Sequence, residues 1–146
     1  MIEGYKISSQ KTDMDITLIH RYLASSYWAK DISLATLTKA IENSLCFGVF
    51  TQAGAQVGFA RVISDFATFG YLSDVFILEE HRGQGLSKWL MRELFSHPQL
   101  QGFRRFSLVT KDAHELYTRF GFSALASPES YMEHWLPDIY QTAQLD

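Results

Sequence analysis

Apolar positions along the chain change their period several times, and each change predicts an element. Residues 5–9 read as a short strand. Thr12 or Asp13 stands where it can cap a helix on which Ile16, Ile19, His20 and Leu23 share a face. The run 26–31 breaks that period, and Ser33 opens a second helix with Leu34, Leu37, Ile41 and Leu45 on one stripe. Residues 45–52 and 56–64 read as two strands of a hairpin turning at Ala53-Gly54. Residues 65–70 then lead into a strongly apolar strand over 71–78. A third helix starts near Gly85, with Leu86, Trp89, Leu90 and Leu94 on its buried stripe, and Pro98 stops it. Residues 106–110 read as a strand. Asp112 stands where it can cap a short helix carrying Ala113, Leu116, Tyr117 and Phe120, and Gly121 occupies a closing-glycine position. Residues 122–126 and 131–135 read as final strands, and 136–146 show no assignable pattern.

The order is therefore β-α-α-β-β-β-α-β-α-β-β. The strand-helix-strand stretch over 71–110 is long enough for a right-handed crossover between parallel strands, while the hairpin implies antiparallel neighbours. The expectation is an α/β (mixed α+β) fold, one domain over residues 1–146. Its central sheet is mixed and mostly antiparallel, with one parallel crossover and helices on both faces.

Composition narrows the chemistry. The chain has 146 residues, enough for a core without staples, and its 47% hydrophobic content excludes a disordered composition. A net charge of −3 lacks the electrostatic footprint of a dedicated nucleic-acid binder. Cys46 is the one cysteine, so an internal disulfide and a Cys-rich zinc framework are both excluded; in its apolar strand it reads as core. His20, His81, His114 and His134 show no metal-ligand spacing, so no metal is expected. The N-terminal stretch lacks the apolar core of a signal peptide, and no apolar run approaches a membrane span. A cytoplasmic protein without membrane or nucleic-acid partners is the expectation.

The informative stretch runs Leu78-Glu79-Glu80-His81-Arg82-Gly83-Gln84-Gly85-Leu86-Ser87-Lys88. A strand feeds a two-glycine turn that opens a helix. Helix N-terminal amides lack intrahelical partners and point outward with the positive dipole end behind them, which suits a phosphate. The spacing is neither a Walker loop nor the dinucleotide fingerprint. Two glycines alone fit an ordinary strand-to-helix turn equally well.

Arg82-Gly83-Gln84-Gly85-Leu86-Ser87 resembles the acetyl-CoA pyrophosphate loop, Q/R-x-x-G-x-G/A, of the GNAT superfamily of N-acetyltransferases. Downstream, Ala113-His114-Glu115-Leu116-Tyr117-Thr118-Arg119-Phe120-Gly121-Phe122 resembles the family segment A-x-x-L-Y-x-x-x-G-F, and the element order is also the family's. Ser87 replaces the usual final Gly or Ala, and Thr110 stands where many members carry Asn.

The resemblance implies direct, acetyl-CoA-dependent N-acetyl transfer to a primary amine of an unidentified, small-molecule acceptor. The backbone of Val75, Phe76 and Ile77 would take the pantetheine arm, as a strand takes a neighbour. Arg82, Gly83, Gln84, Gly85, Leu86, Ser87 and Lys88 would hold the pyrophosphate. Tyr117 matches the family tyrosine that hydrogen-bonds or protonates the departing sulfur, although its spacing also fits a core tyrosine. A phenol near pKa 10 is a poor acid toward a thiolate of about 8.5, so a hydrogen-bond donor is the better description. Asp74 is the first candidate for the base, followed by Asp65 and Glu79; a water chain without a dedicated base is the alternative. Tyr27 and Trp28, with Asp31 nearby, would form an aromatic acceptor site for a cationic amine, or simply pack on the sheet. The implied partners are acetyl-CoA and the amine acceptor, and a homodimer is compatible with the pattern. The alternative function is a non-catalytic, acyl-CoA-binding GNAT-like regulatory module.

Overall fold

The computed structural model describes residues 1–143; within the unassigned stretch 136–146, residues 144–146 lie outside the described residues. Five strands form one sheet in sequence order: β1 (Tyr5–Ser8), β2 (Leu45–Thr51), β3 (Gln56–Ser64), β4 (Phe69–Ile77) and β5 (Arg105–Leu108). The first three pairings are antiparallel and β4–β5 is parallel. The helices are α1 (Ile16–Ala24), α2 (Leu34–Glu42), α3 (Leu86–Phe95), α4 (His114–Thr118) and α5 (Ile139–Ala143).

The alternation of side chains along each strand splits the core into two layers. On one face Phe47, Val49, Ala60, Val62 and Leu72 pack with Trp89, Leu90 and Leu94 of α3 and Tyr117 of α4. On the other, Cys46, Phe59 and Phe76 pack with Ile19 and Leu23 of α1 and Leu37 and Ile41 of α2. The mixed sheet with helices on both faces is as the hydrophobic pattern predicts.

Several boundaries move. The α1 cap is Asp15, whose carboxylate accepts from the Leu18 N–H at 3.1 Å. Thr12 and Asp13 lie too far back, in a 3-10 turn spanning Lys11–Asp13, where Asp13 accepts from the Ser8 hydroxyl. Ser33 caps α2 through the Thr36 N–H as its position implies. Leu45 leaves the α2 stripe and begins β2, because the helix ends at Glu42. At α4 the Thr110 hydroxyl, not Asp112, receives an opening amide, that of Ala113 at 3.0 Å.

The largest correction concerns the C-terminal part. Residues 122–126 and 131–135, expected as final strands, form none, and among the described residues no ladder continues beyond β5. A strand exists only through a neighbour's hydrogen bonds, and among the described residues nothing supplies them there.

Within β4 one extra residue is inserted. Phe59 faces Phe76 while Arg61 faces Ser73, so two steps on β3 oppose three on β4. Asp74 sits in this bulge with a φ of 57°, in the left-handed region. The β4–β5 pairing stops at Leu72 and Leu108, whereas β4 runs on to Ile77. Its edge over 74–77 is therefore left open on the β5 side.

Candidate functional site

The open β4 edge leads directly into the glycine turn. A short 3-10 turn over Glu79–His81 follows β4, and Arg82 closes it by donating its N–H to the Glu79 carbonyl. Gly83 and Gly85 have φ of 81° and 83°, a conformation that strains any side-chain-bearing residue. Gly85 is the N-cap of α3 and provides no side-chain cap. Among the described residues, none of the backbone N–H groups of residues 83–88 donates a hydrogen bond to the protein. Six consecutive amides with the α3 dipole behind them form an anion site. A Cβ on Gly83 would project into open space, so the exposed backbone can be approached closely there. The adjoining cavity of about 200 Å³ is lined by Ile77, His81, Arg82, Gly83, Gly85, Leu86, Ser87, Lys88 and Leu116.

The turn is braced from three sides. Arg82 donates through Nε to the Ile77 carbonyl at 2.8 Å and through a terminal nitrogen to the Tyr22 hydroxyl at 3.1 Å. Gln84 reaches the Tyr5 hydroxyl and the His81 carbonyl. Tyr5 and His81 share a hydrogen bond of 2.8 Å and meet edge to face. Arg82 and Gln84 thus spend polar atoms on the shape of the loop, which leaves the anion-facing work to backbone amides, Ser87 and Lys88.

Val75 is half-buried, while Phe76 and Ile77 are buried. The Phe76 ring stacks on Tyr22 at 3.9 Å with planes 13° apart. This fixes the open edge against α1. The structure brings Val75, Phe76, Ile77 and the turn into one continuous backbone surface.

Asp74 is buried and fully engaged. Oδ1 accepts from the Trp28 indole at 2.9 Å, and Oδ2 forms an ion pair with Arg61 Nε at 2.8 Å. Arg61 also donates to the Ser44 hydroxyl. Both carboxylate oxygens of Asp74 are thus already occupied by donors from the protein. Asp65 instead organises its own loop: it accepts from the amides of Ala67, Thr68 and Phe69 and from the Thr68 hydroxyl. Those bonds, the Thr68 hydroxyl first, hold its carboxyl well below the usual range, so it is a weak base. Glu79 is exposed in the turn after β4.

Trp28 joins the α1–α2 connection to the bulge, with Tyr22 and Tyr27 beside it. Tyr27 stands further out, with Lys111 Nζ 5.2 Å from its ring centroid. That contact carries the connection over the end of β5. Tyr117 is buried in α4, next in sequence to the cavity-lining Leu116, and meets Phe122 edge to face. Burial, with a smaller contribution from Asp112, pushes its phenol up to about 12. The raised pKa keeps the phenol protonated, so its hydroxyl is a hydrogen-bond donor. Burial likewise pushes the Cys46 thiol up to about 11, which leaves it inert.

Three participants escape sequence reasoning: Arg61, Tyr22 and Lys111. An arginine within the apolar run Val57-Gly58-Phe59-Ala60-Arg61-Val62 is a signal for a buried acidic partner, but not for which one. Tyr22 and Lys111 carry no comparable signal. Among the described residues no group of three or more His, Cys, Asp or Glu could hold a metal, and no helix is long and apolar enough to cross a membrane.

Known proteins are similar to this chain in sequence and fold. The family model described as an acetyltransferase (GNAT) domain matches residues 42–124. A candidate acetyltransferase of Gibberella zeae is 33% identical over 77% of this chain and 75% of its own length. A solved structure of a candidate GNAT-family acetyltransferase from Xanthomonas campestris pv. campestris is 54% identical, with a TM-score of 0.92 over 96% of this chain and 99% of that one. A candidate acetyltransferase from Deinococcus radiodurans, at 16% identity and a TM-score of 0.72 over 94% and 92% of the two chains, shares the fold. The sheet, the braced glycine turn and these matches agree, and the chain belongs to the GNAT family of acetyltransferases.

Proposed function

We propose that this chain is an N-acetyltransferase that uses acetyl-CoA to acetylate a primary amine of a small molecule. The observation that carries the reading is the run of six unpaired amides at residues 83–88, continuous with the open β4 edge over 74–77. A diphosphate fits the amides, and an extended amide-bearing arm fits the strand edge. Bound acetyl-CoA would supply a thioester, whose C–S bond is exchanged for the C–N bond of the acetylated amine.

The chain's own residues then have distinct roles. Gly83, Gln84, Gly85, Leu86, Ser87 and Lys88 hold the diphosphate, with Arg82 bracing the turn. Val75, Phe76 and Ile77 present backbone groups to the arm. Because the Ile77 carbonyl already accepts from Arg82, Val75 and Phe76 carry more of that pairing. Tyr117 keeps its proton on Oη and donates to the departing sulfur; a phenol near 12 donates a hydrogen bond readily and a proton reluctantly. Asp74 positions Trp28 and Arg61 around the bulge, and solvent takes the amine proton. Trp28 and Tyr27 face the acceptor with an aromatic surface suited to a cationic amine.

The test is release of CoA thiol from acetyl-CoA across a panel of small amines and peptides. Turnover on at least one small amine is expected, and Tyr117→Phe should lower kcat about ten- to a hundredfold with acetyl-CoA affinity nearly unchanged. Tight CoA binding without turnover on any amine would favour the non-catalytic acyl-CoA-binding module instead. An unaltered rate in Tyr117→Phe would remove the assigned role of that hydroxyl.

A further inference from the structure

Tyr22 stands where three parts of the molecule meet. It lies in the last turn of α1, beside Leu23, whose complete burial fixes the helix on the sheet. Its hydroxyl accepts from a terminal nitrogen of Arg82, on the glycine turn, at 3.1 Å. Its ring stacks on Phe76 of the open β4 edge, 3.9 Å between centroids. The same ring meets that of Trp28 at 6.5 Å with planes 50° apart, within the range of an aromatic pair. Turn, strand edge and the α1–α2 connection thus share one side chain.

These contacts restrain different things. The Asp74 carboxylate holds the Trp28 indole nitrogen at 2.9 Å, a single point about which the ring can still pivot. Trp28 is 40% exposed and its other aromatic neighbour, Tyr27, 68% exposed, so solvent supplies no wall against that pivot. The Tyr22 ring does. Tyr22 is in turn held on two sides: Phe76, which is buried, takes its face, and Arg82 takes its hydroxyl. Arg82 also donates through Nε to the Ile77 carbonyl at 2.8 Å. Two bonds from one rigid guanidinium plane set the Tyr22 hydroxyl at a fixed place relative to the start of the turn.

We propose that Tyr22 is a positioning residue that holds the Trp28 ring in register with the cofactor edge, so that a ligand closing on the glycine turn also steadies the Trp28 indole. This rests on the reading of residues 83–88 as the cofactor site and of Trp28 as a wall of the acceptor site. A diphosphate on those amides immobilises the turn and Arg82 with it. The guanidinium passes the restraint to the Tyr22 hydroxyl, and the ring passes it to Trp28. Less side-chain freedom is then left to lose when an amine docks, which favours its binding to the loaded protein.

The probe is adenosine 3′-phosphate 5′-diphosphate, which carries the diphosphate of CoA without the pantetheine arm that would run along β4. The readout is exchange of the Trp28 indole N–H with water in the isotope-labelled full chain, the resonance being identified by its loss in Trp28→Phe. Saturating probe should slow that exchange about fivefold in the parent chain. Tyr22→Phe keeps a ring on Phe76 and removes the hydroxyl that accepts from Arg82. In that variant the probe should still shift the amides of residues 83–88, with Trp28 exchange unchanged. Shifted 83–88 amides with constant Trp28 exchange in the parent chain would overturn the role of Tyr22 and leave the cofactor site standing. So would equal slowing in Tyr22→Phe, the result of a tyrosine that only supports the fold. Probe at millimolar concentration that leaves residues 83–88 unmoved would instead remove the cofactor reading, and the role of Tyr22 with it.

Discussion

The open stretch of β4 and the outer edge of β5 both lack a neighbouring strand, and they differ in what they can accept. The β4 edge over 74–77 is short, opened by a bulge, and ends against six free amides. It is flanked by stacked and hydrogen-bonded side chains that fix its shape. The outer edge of β5 is broad, floored by half-buried phenylalanines, and bordered by exposed chain. Unsatisfied backbone is common to both, but the surroundings decide the partner. Aligned amides beside a narrow edge favour a small anionic ligand, whereas an apolar floor beside an open edge favours apolar side chains.

The sharpest way to break the first edge is at its bulge. Asp74→Ala removes the partner of Arg61, whose side chain is 13% exposed, and leaves that charge uncompensated. A loss of about 3 kcal/mol or more in urea unfolding is expected, because stranding one member of a buried pair is costly. Arg61→Met combined with Asp74→Asn, which tolerates the left-handed φ of 57°, should recover most of that loss. Failure of the pair to recover would mean that the bulge itself needs the carboxylate.

Gly85→Val acts on the amides rather than on the fold. With φ at 83° the new side chain is strained, yet its Cβ would meet just the Ile2 side chain, at 3.7 Å. A stability loss of about 1–2 kcal/mol is expected, together with a fall in acetyl-CoA affinity on the order of a hundredfold by titration calorimetry. Equal affinity in the variant would move the ligand away from the turn.

A pH titration separates the Tyr117 hydroxyl from its ring. The folded phenol lies near 12, above the ordinary 10.0, so the unfolded chain loses its proton first. The stabilisation is complete below pH 10 and is lost as pH rises toward 12. A contribution of about 2–3 kcal/mol is expected, read as a steeper alkaline loss of unfolding free energy in the parent chain than in Tyr117→Phe. Parallel curves would mean that the hydroxyl is well solvated.

The same contrast explains what the sequence made legible. The glycine turn, α3 and the Tyr117 helix are local: conformational demands at Gly83 and Gly85 and the stripe Leu86, Trp89, Leu90 and Leu94 lie within one short run. The hairpin of β2 and β3 is local too. The bulge is not, since nothing in Ser73-Asp74-Val75 announces a left-handed aspartate; it depends on Arg61 and Trp28, which are distant in sequence. The expected strands at 122–126 and 131–135 fail for a related reason. Their apolar and aromatic residues suit a strand, but they do not specify the neighbour that would pair with it.

The most direct test of the account follows backbone amide resonances of the isotope-labelled chain as CoA is added. The amides of residues 83–88 and of Val75 and Phe76 should shift together and saturate at one ligand per chain, while those of 131–136 stay in place. Millimolar CoA that leaves residues 83–88 unmoved would contradict the assignment of the turn as the cofactor site, and with it the proposed acetyl transfer.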